Sequence, residues 1–268
     1  MIELSPSDLS ILLIEPSPTQ QKIIARQLQQ EDVNNIEFAS DIASANAYLQ
    51  NHHPDLIASA MYFDDGTALD LVKQLKANDA TADIQFMLVS SEYRKEQLEA
   101  FRQSGVVAIL PKPFCSDHLG TALNATLDLL TAEELDLSYF DVKSLRVLVV
   151  DDSRFARKFV TRVLNTLGIE NITEVEDGSH AINIIKEQMF DLVVTDYNMP
   201  EVNGKELTEF IRNESEQSHI PVLMVSSEAN EAHLANIEQS GVNAMCDKPF
   251  EPENVRKILY NLLEGDDH

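Results

Sequence analysis

Asp191-Leu192-Val193-Val194-Thr195-Asp196-Tyr197-Asn198-Met199-Pro200 is the stretch whose reading decides the fold. It opens as a short apolar run, ends in a lone acid and passes into turn chemistry. A run this short, closed by Pro, reads as a buried parallel strand. Asp196 then stands at the strand's carboxyl end, where open α/β sheets place their chemistry. Other runs end the same way. Val147-Leu148-Val149-Val150 leads into Asp151 and Asp152, and Pro221-Val222-Leu223-Met224-Val225 into Ser226. Asn243-Ala244-Met245-Cys246 is followed by Lys248 and Pro249. Five polar groups thus converge on one edge of one sheet.

The chain repeats itself. Shifted by 136 positions, Ser17 falls on Ser153, Arg26 on Arg162, Asp41 on Asp177 and Asp55-Leu56 on Asp191-Leu192. Val89-Ser90-Ser91-Glu92 falls on Val225-Ser226-Ser227-Glu228, and Lys112-Pro113-Phe114 on Lys248-Pro249-Phe250. A repeat of this length is a domain rather than a solenoid unit. We place one domain at 8–130, a linker at 131–143 and a second domain at 144–264. Thr131-Ala132-Glu133-Glu134 reads as a capping box that opens a helix in the linker.

Each copy alternates strand and helix. In the second, Ser153 caps a helix carrying Phe159, Val160, Val163, Leu164 and Leu167, stopped by Gly168. A helix with Ile182, Ile185 and Met189 precedes the Asp196 strand. Another starts near Gly204, and one with Leu234 and Ile237 follows Ser226. The last carries Val255, Ile258, Leu259, Leu262 and Leu263 at helical spacing. Five βα units of this size predict an α/β fold: a doubly wound parallel sheet with helices on both faces, once per copy.

Composition bounds the function. Lys+Arg is 20 and Asp+Glu is 45, a formal net charge of −25. Direct nucleic-acid binding is not expected, because phosphate neutralisation needs basic side chains; the acidity suits solubility or a partner with a basic surface. No apolar run approaches the roughly 20 residues needed to span a bilayer, and Met1-Ile2-Glu3-Leu4-Ser5 lacks a basic leader. The expected location is cytoplasmic. Cys115 and Cys246 form no CxxC pair and read as free thiols. The histidines, His52 and His53 included, show no metal spacing.

Asp151, Asp152 and Asp196 brought together would repel one another and raise each other's pKa. A hard divalent cation such as Mg²⁺, which prefers oxygen ligands, offsets that repulsion. A carboxylate can attack phosphorus to give an aspartyl phosphate. Lys248 supplies a point charge for phosphoryl oxygens and Ser226 a hydroxyl donor. In-line phosphoryl transfer needs little more than such positioning and charge.

With these residues in place, the second copy resembles a response-regulator receiver domain of the CheY-like, flavodoxin-like type. The motifs that carry the resemblance are Val149-Val150-Asp151-Asp152-Ser153, Asp196 to Pro200 with Gly204, Val225-Ser226-Ser227 and Lys248-Pro249-Phe250. The resemblance implies that Asp196 accepts phosphoryl from a histidine kinase or phosphotransfer protein. It implies that Asp152 and Asp196 ligate Mg²⁺, that Asp151 acts through water, and that the carbonyl of Asn198 is a further ligand. Ser226 and Lys248 would contact the phosphoryl oxygens, and Lys248-Pro249 is a candidate cis peptide. One departure is Met245, three residues before the lysine, where the family commonly has Tyr or Phe as a rotamer switch. Asn198 and Glu228 flank the implied path of a hydrolytic water, so a short-lived phosphoform is expected.

The first copy resembles a degenerate receiver. Asp196 corresponds to Ala60, Asp151 to Glu15 and Asp152 to Pro16, while Ser90 and Lys112 remain. Without a nucleophile it cannot form an acyl phosphate, and one acid of three leaves little Mg²⁺ affinity. Asp64 and Asp65 read as solvated turn. This pseudo-receiver is expected to serve as an interaction or dimerisation module, so that a homodimer is one expected state, and the chain to signal through protein–protein contacts, with no activity beyond self-phosphorylation and autodephosphorylation. Three alternatives stand beside it. One is a regulatory part of a longer regulator with a cyclase-type or other output domain. Another is a Mg²⁺-dependent phosphohydrolase, disfavoured because its nucleophile would end the first strand. The third is a scaffold in which neither domain is phosphorylated.

Overall fold

The computed structural model describes residues 4–92, 94–114, 116–131, 134–137, 141–227 and 241–264. The expected Leu234/Ile237 helix, Glu228 and Cys115 fall outside them. The chain divides into two compact units, 1–131 and 132–268.

The first unit runs β1 (Ser10–Ile14), α1 (Pro18–Gln30), β2 (Asn35–Ala39), α2 (Ile42–Leu49), β3 (Leu56–Ser59), a small hairpin of β4 (Tyr62–Phe63) and β5 (Gly66–Thr67), α3 (Ala68–Ala77), β6 (Gln85–Ser90), α4 (Lys95–Arg102), β7 (Ala108–Pro111) and α5 (Ser116–Leu130). Its five-stranded sheet has the order β2-β1-β3-β6-β7, with every neighbour parallel. The described part of the second unit runs β8 (Arg146–Val150), α6 (Arg154–Thr166), β9 (Asn171–Val175), α7 (Gly178–Glu187), β10 (Leu192–Asp196), α8 (Gly204–Asn213), β11 (Val222–Ser226), β12 (Ala244–Asp247) and α9 (Pro252–Glu264). Its sheet order, β9-β8-β10-β11-β12, is the same. Even the register repeats: Ser10 pairs with Asn35, and Arg146 with Asn171.

The apolar runs form strands because both their faces are covered. Alternate residues of β1, β3 and β6 (Leu12, Ile14, Ile57, Phe86, Leu88) pack against Ala45, Leu71, Val72, Leu75 and Phe101 from α2, α3 and α4. The intervening strand residues point to the opposite face. There α1 and α5 bury Ile24, Leu28, Leu119, Ala122 and Leu123. The second unit builds the same layer from Leu148, Val150, Val193 and Val222 against Ala181, Ile185, Leu207, Phe210 and Ile211. In each sheet the order reverses beside the first strand, and that reversal opens a crevice at the carboxyl ends of the first and third strands.

The residues that match across the repeat do matching structural jobs. Ser17 and Ser153 accept the backbone N–H of Gln20 and Ala156 as helix caps, and Asp41 and Asp177 do so for Ser44 and His180. Asp55 and Asp191 each accept the backbone N–H at the start of the first strand, from Ser10 at 2.8 Å and from Arg146 at 2.9 Å. Gly168, at φ +90°, ends α6 in the left-handed conformation that glycine adopts freely.

Two local expectations are corrected. Met189 lies beyond α7 and is 54% exposed. The helix stops early because buried Gln217 donates to the carbonyls of Ile185 and Gln188, each at 2.7 Å, and accepts from Phe190 N–H at 2.9 Å. These bonds satisfy carbonyls that a helix end leaves orphaned, and Phe190 enters the core in place of Met189. The Thr131 hydroxyl donates to the Leu127 carbonyl at 2.8 Å and closes α5, residues 134–137 are not helical, and the helical part of the linker among the described residues is a 3-10 turn at Val142–Ser144. Ala132 and Glu133 lie outside the described residues. Asp64 and Asp65 are exposed in a turn, as expected, and the Asp65 carboxylate also accepts Ile42 N–H at 3.2 Å and Ala43 N–H at 2.9 Å at the start of α2.

Candidate functional site

Four strand ends deliver the groups singled out in the sequence. Asp151 and Asp152 follow β8, Asp196 is the last residue of β10, Ser226 the last of β11, and Lys248 follows β12. Asp151, Asp196, Ser226 and Lys248 are buried, whereas Asp152 is exposed at the mouth. Carboxylate oxygens of Asp151, Asp152 and Asp196 lie within 4.8 Å of one another. Lys248 Nζ is 2.8 Å from Asp151 Oδ2 and 3.1 Å from Asp196 Oδ1. One ammonium therefore spans the two buried acids, and three acids face one lysine.

Burial pushes the Asp151 carboxyl above the ordinary carboxylate range, against the pull of Lys248. Burial also works against the Lys248 ammonium, but the charges of Asp151 and Asp196 and their hydrogen bonds outweigh it and hold its pKa above the ordinary value. The site is short of positive charge. Its donors are all carboxylate oxygens, the set that suits a hard divalent cation.

The backbone around the acids is tightly held. Ser153 N–H donates to Asp151 Oδ1 at 2.8 Å, and Thr195 Oγ donates to the Asp196 carbonyl at 3.0 Å. A side chain on Gly204 would place its Cβ 2.3 Å from the Asp196 carbonyl oxygen, so only glycine lets the loop close under the acid. Both Lys112-Pro113 and Lys248-Pro249 are cis. Asn198 is exposed and Met245 is half-buried on β12 beside Met224.

The response regulator receiver domain model matches residues 11–124 and 147–260. This chain belongs to the response regulator receiver domain family. It is 38% identical over 122 residues to the chemotaxis protein CheY-3 of Vibrio cholerae, a match covering 46% of this chain and 94% of that protein. Among solved structures, chemotaxis protein CheY4 of Vibrio cholerae is 31% identical, with a TM-score of 0.42 over 44% of this chain and 98% of that one. The receiver domain of a sensor histidine kinase from Pseudomonas aeruginosa PAO1, solved with a magnesium ion in its active-site cleft, is 25% identical, with a TM-score of 0.42 over 45% and 98%. No helix among the described residues is long and apolar enough to cross a membrane.

The first receiver domain keeps part of the constellation. Lys112 Nζ is 2.7 Å from Glu15 Oε2, and Glu15 Oε1 accepts Ser17 N–H at 3.0 Å. Glu15 thus stands in for Asp151, one methylene longer. Ala60 and Pro16 offer no side-chain oxygen, and no group of three ligating side chains forms here among the described residues.

Sequence reasoning missed two features. Arg157 donates to the Asp151 carbonyl and lies 3.8 Å from Glu174, while its counterpart Gln21 donates to the carbonyls of Glu15 at 2.8 Å and Ala39 at 3.1 Å. A polar residue at the same helical position of both copies was the available signal. Glu176, Asp177 and His180 also bring ligand atoms within 4.8 Å, on the surface, where the sequence reading saw no metal spacing; Asp177 is already engaged as the α7 cap. Cys246 is a buried free thiol that burial pushes up to about 12.

Proposed function

We propose that the second receiver domain (144–264) accepts a phosphoryl group on Asp196 from a histidine kinase or phosphotransfer protein, and that the first (8–130) is a pseudo-receiver. The observation that carries this reading is the single lysine spanning Asp151 and Asp196 beside a third carboxylate. An Asp196 oxygen attacks phosphorus; the new O–P bond forms as the P–N bond to the donor imidazole breaks, and the electron pair leaves on the imidazole nitrogen. Lys248 and Ser226 hold phosphoryl oxygens by charge and hydroxyl donation. Asp152 and Asp196, with Asp151 and the Asn198 carbonyl, are the groups that would hold Mg²⁺. When bound, that ion supplies the positive charge the site lacks.

Output runs through protein–protein contacts, in the cytoplasm, with the pseudo-receiver as interaction or dimerisation module. The chain turns over no outside substrate; it takes phosphoryl and loses it to water. Asn198 leaves the mouth polar and exposed, in keeping with rapid loss. The test is transfer of labelled phosphoryl from a phosphohistidine donor domain, with Mg²⁺ and with chelator. The expected label is Mg²⁺-dependent and released by hydroxylamine, as an acyl phosphate is. A hydroxylamine-stable label, or one indifferent to chelator, would overturn the reading.

A further inference from the structure

In the second domain two carboxylates share Lys248. In the first, the side chain corresponding to Asp196 is a methyl group, Ala60, and among the described residues Lys112 makes one side-chain hydrogen bond, to Glu15. An ammonium has three N–H donors, so the deletion leaves donor capacity beside the space where a carboxylate belongs. That space opens into a cleft of about 550 Å³, lined by Pro16, Ala60, Met61, Tyr62, Ser90 and Lys112 among others. The Ser90 hydroxyl faces Met61 Sδ at 3.5 Å, a weak acceptor that it can leave for a better one.

We propose that this cleft binds a small organic carboxylate, with its head where the missing aspartate side chain would lie, against Lys112 and Ser90, and its short apolar tail against Pro16, Met61 and Tyr62. Charge favours a monoanion. Glu15 and Lys112 cancel, as do Glu92 and Arg94 at the rim, which pair at 2.8 Å. A bound carboxylate brings one uncompensated charge. The second domain's site carries two without its cation, three acids against Lys248. Inorganic phosphate, with a second pKa near 6, would bring up to two and is the poorer fit. The apolar lining adds a preference for chain length of up to about fourfold per buried methylene.

The test uses the full chain labelled at its methionine methyl groups, with Met61 assigned through Met61→Leu. Acetate, propionate and butyrate are titrated against chloride at matched ionic strength. The expected result is a saturable shift of the Met61 resonance that tightens from acetate to butyrate. Lys112→Met should abolish it, and Lys248→Met should leave it intact. Ala60→Asp is the deciding variant, because it fills the space with a tethered carboxylate and restores the two-acid arrangement; it should block binding without lowering the melting temperature. No saturable shift into the tens of millimolar, or a shift that survives Ala60→Asp, would overturn the proposal.

Discussion

Lys248 Nζ lies 3.1 Å from Asp196 Oδ1, and both side chains are buried. The same ammonium reaches Asp151 at 2.8 Å, so its charge helps make two buried carboxylates tolerable together. The lysine therefore has a structural duty besides the proposed one of holding phosphoryl oxygens. Removing it leaves uncompensated buried charge, which is far more costly than losing an exposed pair.

Lys248→Met should destabilise the second receiver domain by about 3 kcal/mol in chelator, read from that domain's own transition in urea. Added Mg²⁺ should recover part of the loss by supplying positive charge between the carboxylates. A loss below about 0.5 kcal/mol in chelator would be that of an exposed pair and would contradict the buried bridge.

Gly204→Ala is expected to act on the site through the backbone. Its Cβ would meet the Asp196 carbonyl oxygen at 2.3 Å. The cost should be about 3 kcal/mol, the upper end for overpacking, because a main-chain oxygen cannot swing aside as a side chain can. Phosphoryl uptake should fall with it, as Asp196 is displaced. A variant with unchanged urea midpoint would mean that the loop relaxes freely.

Gln217→Ala removes three hydrogen bonds and leaves the buried Ile185 carbonyl and Phe190 N–H, and the part-buried Gln188 carbonyl, to find other partners. Each orphaned buried group costs about 1–3 kcal/mol. We expect a loss of about 3 kcal/mol and faster amide exchange in the last turn of α7. Exchange unchanged there would show that α7 ends without this side chain.

Asp191 supplies a pH dependence. Its hydrogen bond from Arg146 holds the carboxyl below its ordinary value of 3.8. A depressed folded pKa contributes stability above the unfolded value, and that contribution is lost as pH falls through the folded one. Asp191→Asn should therefore cost stability at neutral pH and nothing in acid below the folded pKa. Both side chains are partly exposed, at 43% and 31%, so solvent screening keeps the effect under about 1 kcal/mol. An equal loss at both pH values would assign the effect to packing instead.

What was legible in the sequence was whatever had a period or a register. Parallel strands buried on both faces read as Val147–Val150 and Leu192–Thr195 do, and the acid or lysine after each run marks a strand end. The repeat then exposed Ala60 as a deletion. Side chains that reach far along the chain to backbone groups carry no such signal. Gln217 ends a helix 30 residues earlier, Asp65 bonds the start of α2, and Gln21 holds the Ala39 carbonyl at the next strand end. Glu15 was visible as the counterpart of Asp151, but only the geometry shows that its extra methylene still reaches Lys112.

The central claim rests on Asp196 as the one acceptor. The most direct measurement is the intact mass of the full chain over time with a small phosphodonor and Mg²⁺, beside Asp196→Asn. The account predicts a single phosphoryl adduct that decays within minutes, is absent in Asp196→Asn and persists in Ser90→Ala and Lys112→Met. An adduct that forms equally well in Asp196→Asn, or a second one on the first receiver domain, would contradict it.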